Sequence, residues 1–271
     1  MTGGAVAKYD HRVAQAGSLL CVGLDSAHDR LPPRFLVDEA PQFAFNRWII
    51  EQTHPYVSAY KPNIAFYEAC GAAGITALKQ TVAYLQVHHP DILTICDAKR
   101  ADIGSTNAGY VAAIFDWLGF DAVTLNPYLG REALAPFLER RDKGCIILCR
   151  TSNPGAGEFQ DMATDGRPLW QAVAERVSRV WNAHGNCMLV VGATYPEELT
   201  QVRALVGDMT LLVPGIGAQG GDVAQTVRAG LNAHGAGMVI NAARSVIFAD
   251  DPAAEARALR DAINQHRPAR P

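Results

Sequence analysis

The sequence predicts an α/β protein folded as a (β/α)8 barrel of the TIM type. Three observations carry that expectation. Eight short apolar runs recur along 271 residues, about one every 34. A longer amphipathic segment follows each run. None of the runs alternates with period two, the pattern expected of parallel strands covered on both faces. The length suits one large barrel of about 250 residues.

The elements follow in order. The first strand is expected at 19–24 and runs into Asp25. A Pro-containing loop, 29–41, leads to a helix at 41–52, opened by Pro41 where a first turn tolerates proline. The second strand, 56–60, ends in Lys61-Pro62-Asn63. A helix at 76–87 places Leu78, Val82 and Leu85 on one face. The third strand, 92–96, enters Asp97-Ala98-Lys99-Arg100-Ala101-Asp102, followed by a helix at 107–118. The fourth, 122–125, reaches Asn126-Pro127-Tyr128, with a helix at 132–138. The fifth, 145–148, leads to Arg150-Thr151-Ser152-Asn153-Pro154-Gly155, with a helix at 169–182. The sixth, 187–191, precedes a helix at 196–205. The seventh, 211–213, opens a glycine-rich loop from Pro214 to Gly221, with a helix at 221–229. The eighth, 238–240, ends in Asn241-Ala242-Ala243-Arg244-Ser245, and a last helix is expected at 252–264. No linker or charge block divides the chain, so residues 1–271 are expected to form a single domain with a frayed tail from about 266.

Composition narrows the function classes. Hydrophobic residues make up 49% and charged residues 19%, as in folded soluble proteins rather than disordered ones. With 24 Lys plus Arg against 27 Asp plus Glu, the net charge is -3, without the basic surplus of many nucleic-acid binders. No apolar run nears the length needed to cross a bilayer. The N-terminal residues lack a signal-peptide core, so a cytoplasmic protein is expected. The six cysteines form no Cys-x-x-Cys pair and are expected to be buried reduced thiols. The histidines show no metal-ligand spacing, and neither a Gly-x-Ser-x-Gly elbow nor a Walker A sequence is present.

Chemistry is expected where the strand ends carry polar residues. Asp97 and Lys99 are two apart, so an extended strand end points both to one side. Asp102 follows in the loop. With Lys61 and Asp25 nearby, opposite charges would crowd against apolar walls and shift one another's protonation. Gly215-x-Gly217-x-x-Gly220 matches a dinucleotide fingerprint formally. It lies late in the chain, however, and lacks an acidic residue about 20 positions on. A phosphate loop fits better, with Arg244 as a bidentate cation.

Taken together, these pieces resemble orotidine 5'-monophosphate decarboxylases, and the wording DAKRADIGSTN (97–107) resembles the longer bacterial branch. Asp97-x-Lys99-x-x-Asp102 is similar to that family's signature, Pro214 to Gly221 with Ala243-Arg244-Ser245 to its phosphate loops, and Ser152 to Gly155 to its pyrimidine-side loop. The resemblance implies conversion of orotidine 5'-monophosphate to UMP and carbon dioxide, the last step of UMP biosynthesis, with no cofactor and no metal. It implies that Lys99 protonates C6, that Asp97 faces the substrate carboxylate, and that Lys61 holds the array and contacts the ribose. Asp102 and Thr106 would come from the partner in a homodimer with shared sites. Asp25 would bind ribose hydroxyls and Ser152 the pyrimidine edge. Gln219 and Arg244, with backbone amides such as those of Gly217 and Ala243, would hold the phosphate.

Two alternatives stand beside this reading. A magnesium-dependent hexulose-phosphate synthase or keto-gulonate-phosphate decarboxylase shares the Asp-x-Lys-x-x-Asp piece but takes its metal partly from an acid where this chain has Lys61. A phosphate-binding barrel without catalysis is the other.

Overall fold

The computed structural model describes residues 4–216 and 222–268. Eight parallel strands close into a barrel: β1 (Leu20–Val22), β2 (Ala59–Tyr60), β3 (Leu93–Arg100), β4 (Ala122–Leu125), β5 (Gly144–Arg150), β6 (Cys187–Val191), β7 (Leu211–Pro214) and β8 (Met238–Ala242). Each strand pairs with the next in sequence, and Leu20 opposite Ile240 closes the ring between β1 and β8. Every residue of β4, β6 and β8 is buried, which explains why these runs read as continuous apolar stretches. Each fully buried Val, Leu or Ile contributes about 1.5–3 kcal/mol relative to exposure.

The helices stand where amphipathic segments were expected: α2 (Pro41–Thr53), α3 (Gly71–His88), α4 (Gly104–Val111), α5 (Gly130–Leu138), α6 (Leu169–Arg176), α7 (Pro196–Val206), α8 (Val223–Gly230) and α9 (Pro252–Asn264). Two expected helices, 107–118 and 169–182, change winding part-way. α4 continues as a π-helical turn, Ala112–Trp117, and α6 as another, Val177–Trp181.

Helix α1 (Ala5–Ala16), before the first strand, was not anticipated. It buries Ala5, Tyr9 and Val13, spaced four apart, and ends at Gly17, whose φ of 63° permits the left-handed cap. The Tyr9 hydroxyl donates to the Met238 carbonyl, fastening α1 to β8. A short hairpin, Ala163–Thr164 against Arg167–Pro168, also escaped the sequence reading.

The loop at 29–41 contains two 3-10 turns, His28–Arg30 and Pro33–Phe35. Phe35 packs edge-on to Phe45 of α2 at 5.3 Å between ring centres, and the Arg34 guanidinium lies 4.4 Å from the centre of Trp48. All six cysteines are unbridged. Five are buried and Cys70 is half-buried. Among the described residues, no helix is long and apolar enough to cross a membrane.

Candidate active site

A cavity of about 440 Å³ opens at the C-terminal ends of the barrel strands. It brings together Asp25, Lys61, Asp97, Lys99, Ser152, Ala243 and Arg244, contributed by loops or strands at five places around the ring. Asp102 and Thr106, at the start of the α4 segment, are not among its lining residues. Gly217 and Gln219 lie outside the described residues; Gly215 and Ile216, just before them, do line the cavity.

The centre of the site is Asp97. Its Oδ2 accepts from Lys61 Nζ at 2.7 Å and its Oδ1 from Lys99 Nζ at 2.6 Å. Lys61 is 4% exposed, whereas Lys99 is 49% exposed and reaches the open mouth. Burial alone would raise the Asp97 pKa, but Lys61 and Lys99 together hold the carboxyl well below the ordinary carboxylate range. Burial works against the Lys61 charge, but Asp97 and then Asp25 outweigh it and hold the ammonium above its ordinary value. Asp25 goes the other way. Burial pushes its pKa up, with Lys61 and a hydrogen bond from the Asn63 backbone N–H only partly opposing, and among the described residues its buried Oδ1 has no hydrogen-bond partner. Two carboxyl groups flank one lysine, and their environments drive them apart.

A residue the sequence reading missed fixes this centre. Thr124 Oγ1 donates to Asp97 Oδ1 at 3.0 Å and accepts from the backbone N–H groups of Ala98 and Lys99, each at 2.9 Å. It does so where the β3–β4 register shifts between Cys96 and Arg100. Lys99 has a φ of 48°, in the left-handed region rarely used by non-glycine residues. Such a conformation persists only where neighbours hold it, and it is a mark of functional sites. The one available signal was a lone threonine inside the apolar run Ala-Val-Thr-Leu.

The walls depend on two close approaches. A Cβ on Gly23 would meet Ala243 Cβ at 2.7 Å, and one on Gly192 would meet Ser152 Cβ at 2.8 Å. Side chains there would push both lining residues out of place. The Ser152 loop is pinned by Gln160, which accepts from Thr151 N–H at 2.9 Å and donates to Thr151 Oγ1 at 2.8 Å. Arg150 has a supporting role. It is buried against Glu198 at 2.8 Å and Asp161 at 3.1 Å, tying the loop after β5 to α7.

Arg244 begins the short helix Arg244–Ile247 after β8, exposed at the cavity rim. The helix expected from Gly221 begins at Val223, and the Asp222 carboxylate accepts from Gln225 N–H at 2.8 Å. That carboxylate already meets the positive end of α8, and Arg244 is a cation at the rim. The site can therefore receive an anionic ligand at one edge and present an ammonium–carboxylate–ammonium array at its centre. Among the described residues, no group of three or more His, Cys, Asp or Glu is placed to hold a metal ion.

The family model described as "Orotidine 5'-phosphate decarboxylase / HUMPS family" matches residues 18–259. The chain is 50% identical over 253 residues to an orotidine 5'-phosphate decarboxylase of Cellvibrio japonicus (strain Ueda107), covering 92% of each chain. It is 51% identical over 255 residues to one of Roseiflexus sp. (strain RS-1), covering 91% of this chain and 92% of the relative. Among solved structures, an OMP decarboxylase of Leishmania donovani superposes with a TM-score of 0.87 at 39% identity, over 97% of this chain and 98% of that one. The UMP synthase of the same organism superposes with a TM-score of 0.90 at 41% identity, over 98% of this chain, which spans 57% of that longer protein.

Proposed function

The chain belongs to the orotidine 5'-phosphate decarboxylase / HUMPS family, and from that premise we propose that it is a cytoplasmic homodimeric carboxy-lyase. It converts orotidine 5'-monophosphate to UMP and carbon dioxide, in the step that completes pyrimidine nucleotide synthesis. The observation that carries this reading is the Lys61–Asp97–Lys99 array in the barrel mouth. The whole chain acts as one barrel domain.

Breaking the bond between C6 and the carboxylate leaves an electron pair on a ring carbon without an adjacent electron sink. Here the protein's own field meets that demand. The Lys99 ammonium delivers its proton to C6 as carbon dioxide leaves, and becomes a neutral amine. Its half-exposed side chain then regains a proton from solvent. Asp97, fixed by two lysines and Thr124, stands beside the substrate carboxylate and disfavours the bound acid relative to the transition state. Lys61 keeps Asp97 ionised in a buried setting and reaches the ribose. Asp102 and Thr106 do not line their own chain's cavity, which supports their acting across the dimer in the partner's site. Asp25 accepts from ribose hydroxyls, Ser152 meets the pyrimidine edge, and Arg244, Gln219 and the amides of Gly217 and Ala243 hold the phosphate. Binding the phosphate, remote from C6, orients the ring.

The magnesium-dependent reading is disfavoured by one observation. The end of β2 presents Lys61, a buried cation, where that chemistry places an acidic ligand. The test is turnover of orotidine 5'-monophosphate in excess EDTA, followed as loss of substrate absorbance. Full activity supports the proposal. No turnover, or activity only with added magnesium, overturns it.

A further inference from the structure

The stretch between Asp25 and Lys61, together with Tyr67 and Thr81 beyond it, builds a buried polar network behind the cavity wall. Tyr67, from the short helix Ala65–Glu68, donates its hydroxyl proton to the Leu24 carbonyl at 2.8 Å. Gln42 of α2 donates Nε2 to the Ser26 carbonyl at 2.8 Å and to the Phe66 carbonyl at 3.0 Å. Ser26 Oγ donates to Asn46 Oδ1 at 2.7 Å, and Asn46 Nδ2 donates back to Tyr67 at 2.8 Å and to Thr81 Oγ1 of α3 at 3.0 Å. Ser26, Asn46, Tyr67 and Thr81 are fully buried and Gln42 almost so. The peptide carbonyls on both sides of Asp25 are therefore clamped by side chains of α2 and the 65–68 helix.

Asp25 itself lines the cavity; the Asn63 backbone N–H donates to its carboxylate, and among the described residues its buried Oδ1 has no partner. A buried acceptor in that condition is held there only if the backbone that carries it is fixed. A fully satisfied polar network enforces one geometry in a way an apolar contact does not.

We propose that Tyr67, supported by Asn46 and Gln42, is a positioning residue that aims the cavity-lining Asp25 carboxylate at a hydroxyl of the bound sugar. The sugar is identified by the function proposed above; the positioning is independent of it. The network also gives the long segment after Asp25 a purpose, since α2 supplies two of its members.

Tyr67→Phe keeps the ring and removes only the hydroxyl. Its kcat/KM for orotidine 5'-monophosphate is expected to fall about 10- to 100-fold, the scale of a misplaced contact. The analogue lacking the hydroxyl that Asp25 accepts, found by comparing the 2'-deoxy and 3'-deoxy substrates with Asp25→Ala, is expected to lose far less. In the Asp25→Ala background, Tyr67→Phe is expected to add almost nothing. Equal loss on every substrate, or full additivity with Asp25→Ala, overturns the proposal.

A second readout needs no turnover. Carbon-detected NMR titration of Asp25 in Tyr67→Phe, and in Gln42→Met should the first variant fold poorly, is expected to show its raised pKa falling toward the ordinary value. Lys61, Asp97 and Lys99, the charged groups that act on Asp25, are unaltered in both variants. An unchanged titration refutes positioning. A wild-type protein inert toward orotidine 5'-monophosphate whose Asp25 titration still moves in the variants would overturn the proposed reaction but leave the positioning role standing.

Discussion

Lys61 Nζ lies 2.7 Å from Asp97 Oδ2, with the lysine buried, while the other Asp97 oxygen holds the half-exposed Lys99. Asp97 is thus the shared acceptor of two cations, and the two members of the buried pair are not equivalent. Removing Asp97 leaves Lys61 buried without its nearest counter-ion. Removing Lys61 leaves Asp97 paired with Lys99 and Thr124, and leaves Asp25, already pushed up by burial, free to shed its charge by taking up a proton. Asp97→Ala is therefore expected to lose about 3–5 kcal/mol of stability, the range for breaking a buried ion pair. Lys61→Met is expected to lose distinctly less. Urea unfolding of both variants checks this, and equal losses would show that Lys99 does not support Asp97.

The pH dependence follows from the same relationship. Asp97 is held below its ordinary range, so between its unfolded and folded values the native state binds fewer protons and stability rises with pH. Its contribution is complete above the unfolded value of about 3.9 and fades as pH falls toward the lower folded value. Lys61 is held above its ordinary value, so its contribution is complete below about 10.4 and is lost as pH rises through the folded value. Asp25, raised by burial, titrates with the opposite sign to Asp97, so the comparison should be with Asp97→Asn, which keeps Asp25. The stability gap between wild type and Asp97→Asn is expected to be level from about pH 6 to 9 and to shrink below about pH 4. A gap that widens in acid would mean Asp97 is not the depressed carboxyl.

Thr124 is expected to matter more than its single hydroxyl suggests. Thr124→Val keeps the shape but removes the acceptor of two backbone N–H groups and a donor to Asp97. The change should cost about 1–3 kcal/mol of stability through those unpaired groups. With Lys99 released from its left-handed backbone, kcat should fall while KM changes little, because the lost alignment acts on the reacting centre. A variant that raises KM and leaves kcat intact would contradict this.

Much of this site could be read from the chain, and the unread parts have physical causes. The strands were legible because burial on both faces leaves uninterrupted apolar runs, as in Cys187–Val191. Asp97, Lys99, Lys61 and Asp25 were legible because charge directly after such a run marks a strand end. Helix α1 was not, because two of its three buried residues, Ala5 and Val13, are small and its stripe is faint. The hairpin carries an Asp165-Gly166 turn, both residues at positive φ, but its strands are two residues long and leave no periodic signal. Thr124 and Gln160 escaped because their roles come from partners distant in sequence or set by a turn, not from spacing.

Arg244 sits at the rim, away from the Lys61–Asp97–Lys99 centre, which makes it separable from the chemistry. Arg244→Ala is expected to raise KM for the phosphorylated substrate by about 10- to 100-fold, the loss of one charge-assisted contact of 1.5–3 kcal/mol. The residual turnover of orotidine, which lacks the phosphate, should be nearly unchanged. Equal effects on both substrates would give Arg244 a different role.

The Lys61–Asp97–Lys99 array is expected to become a complete site only when a partner subunit supplies Asp102. Mixing Lys99→Ala with Asp102→Ala checks this, since each variant alone should be nearly inactive and each mixed dimer would hold one intact site. A statistical mixture is expected to recover about one quarter of wild-type activity, because half the dimers are mixed and each carries one good site of two. No recovery, with mixed dimers demonstrated by mass spectrometry, would contradict the shared site.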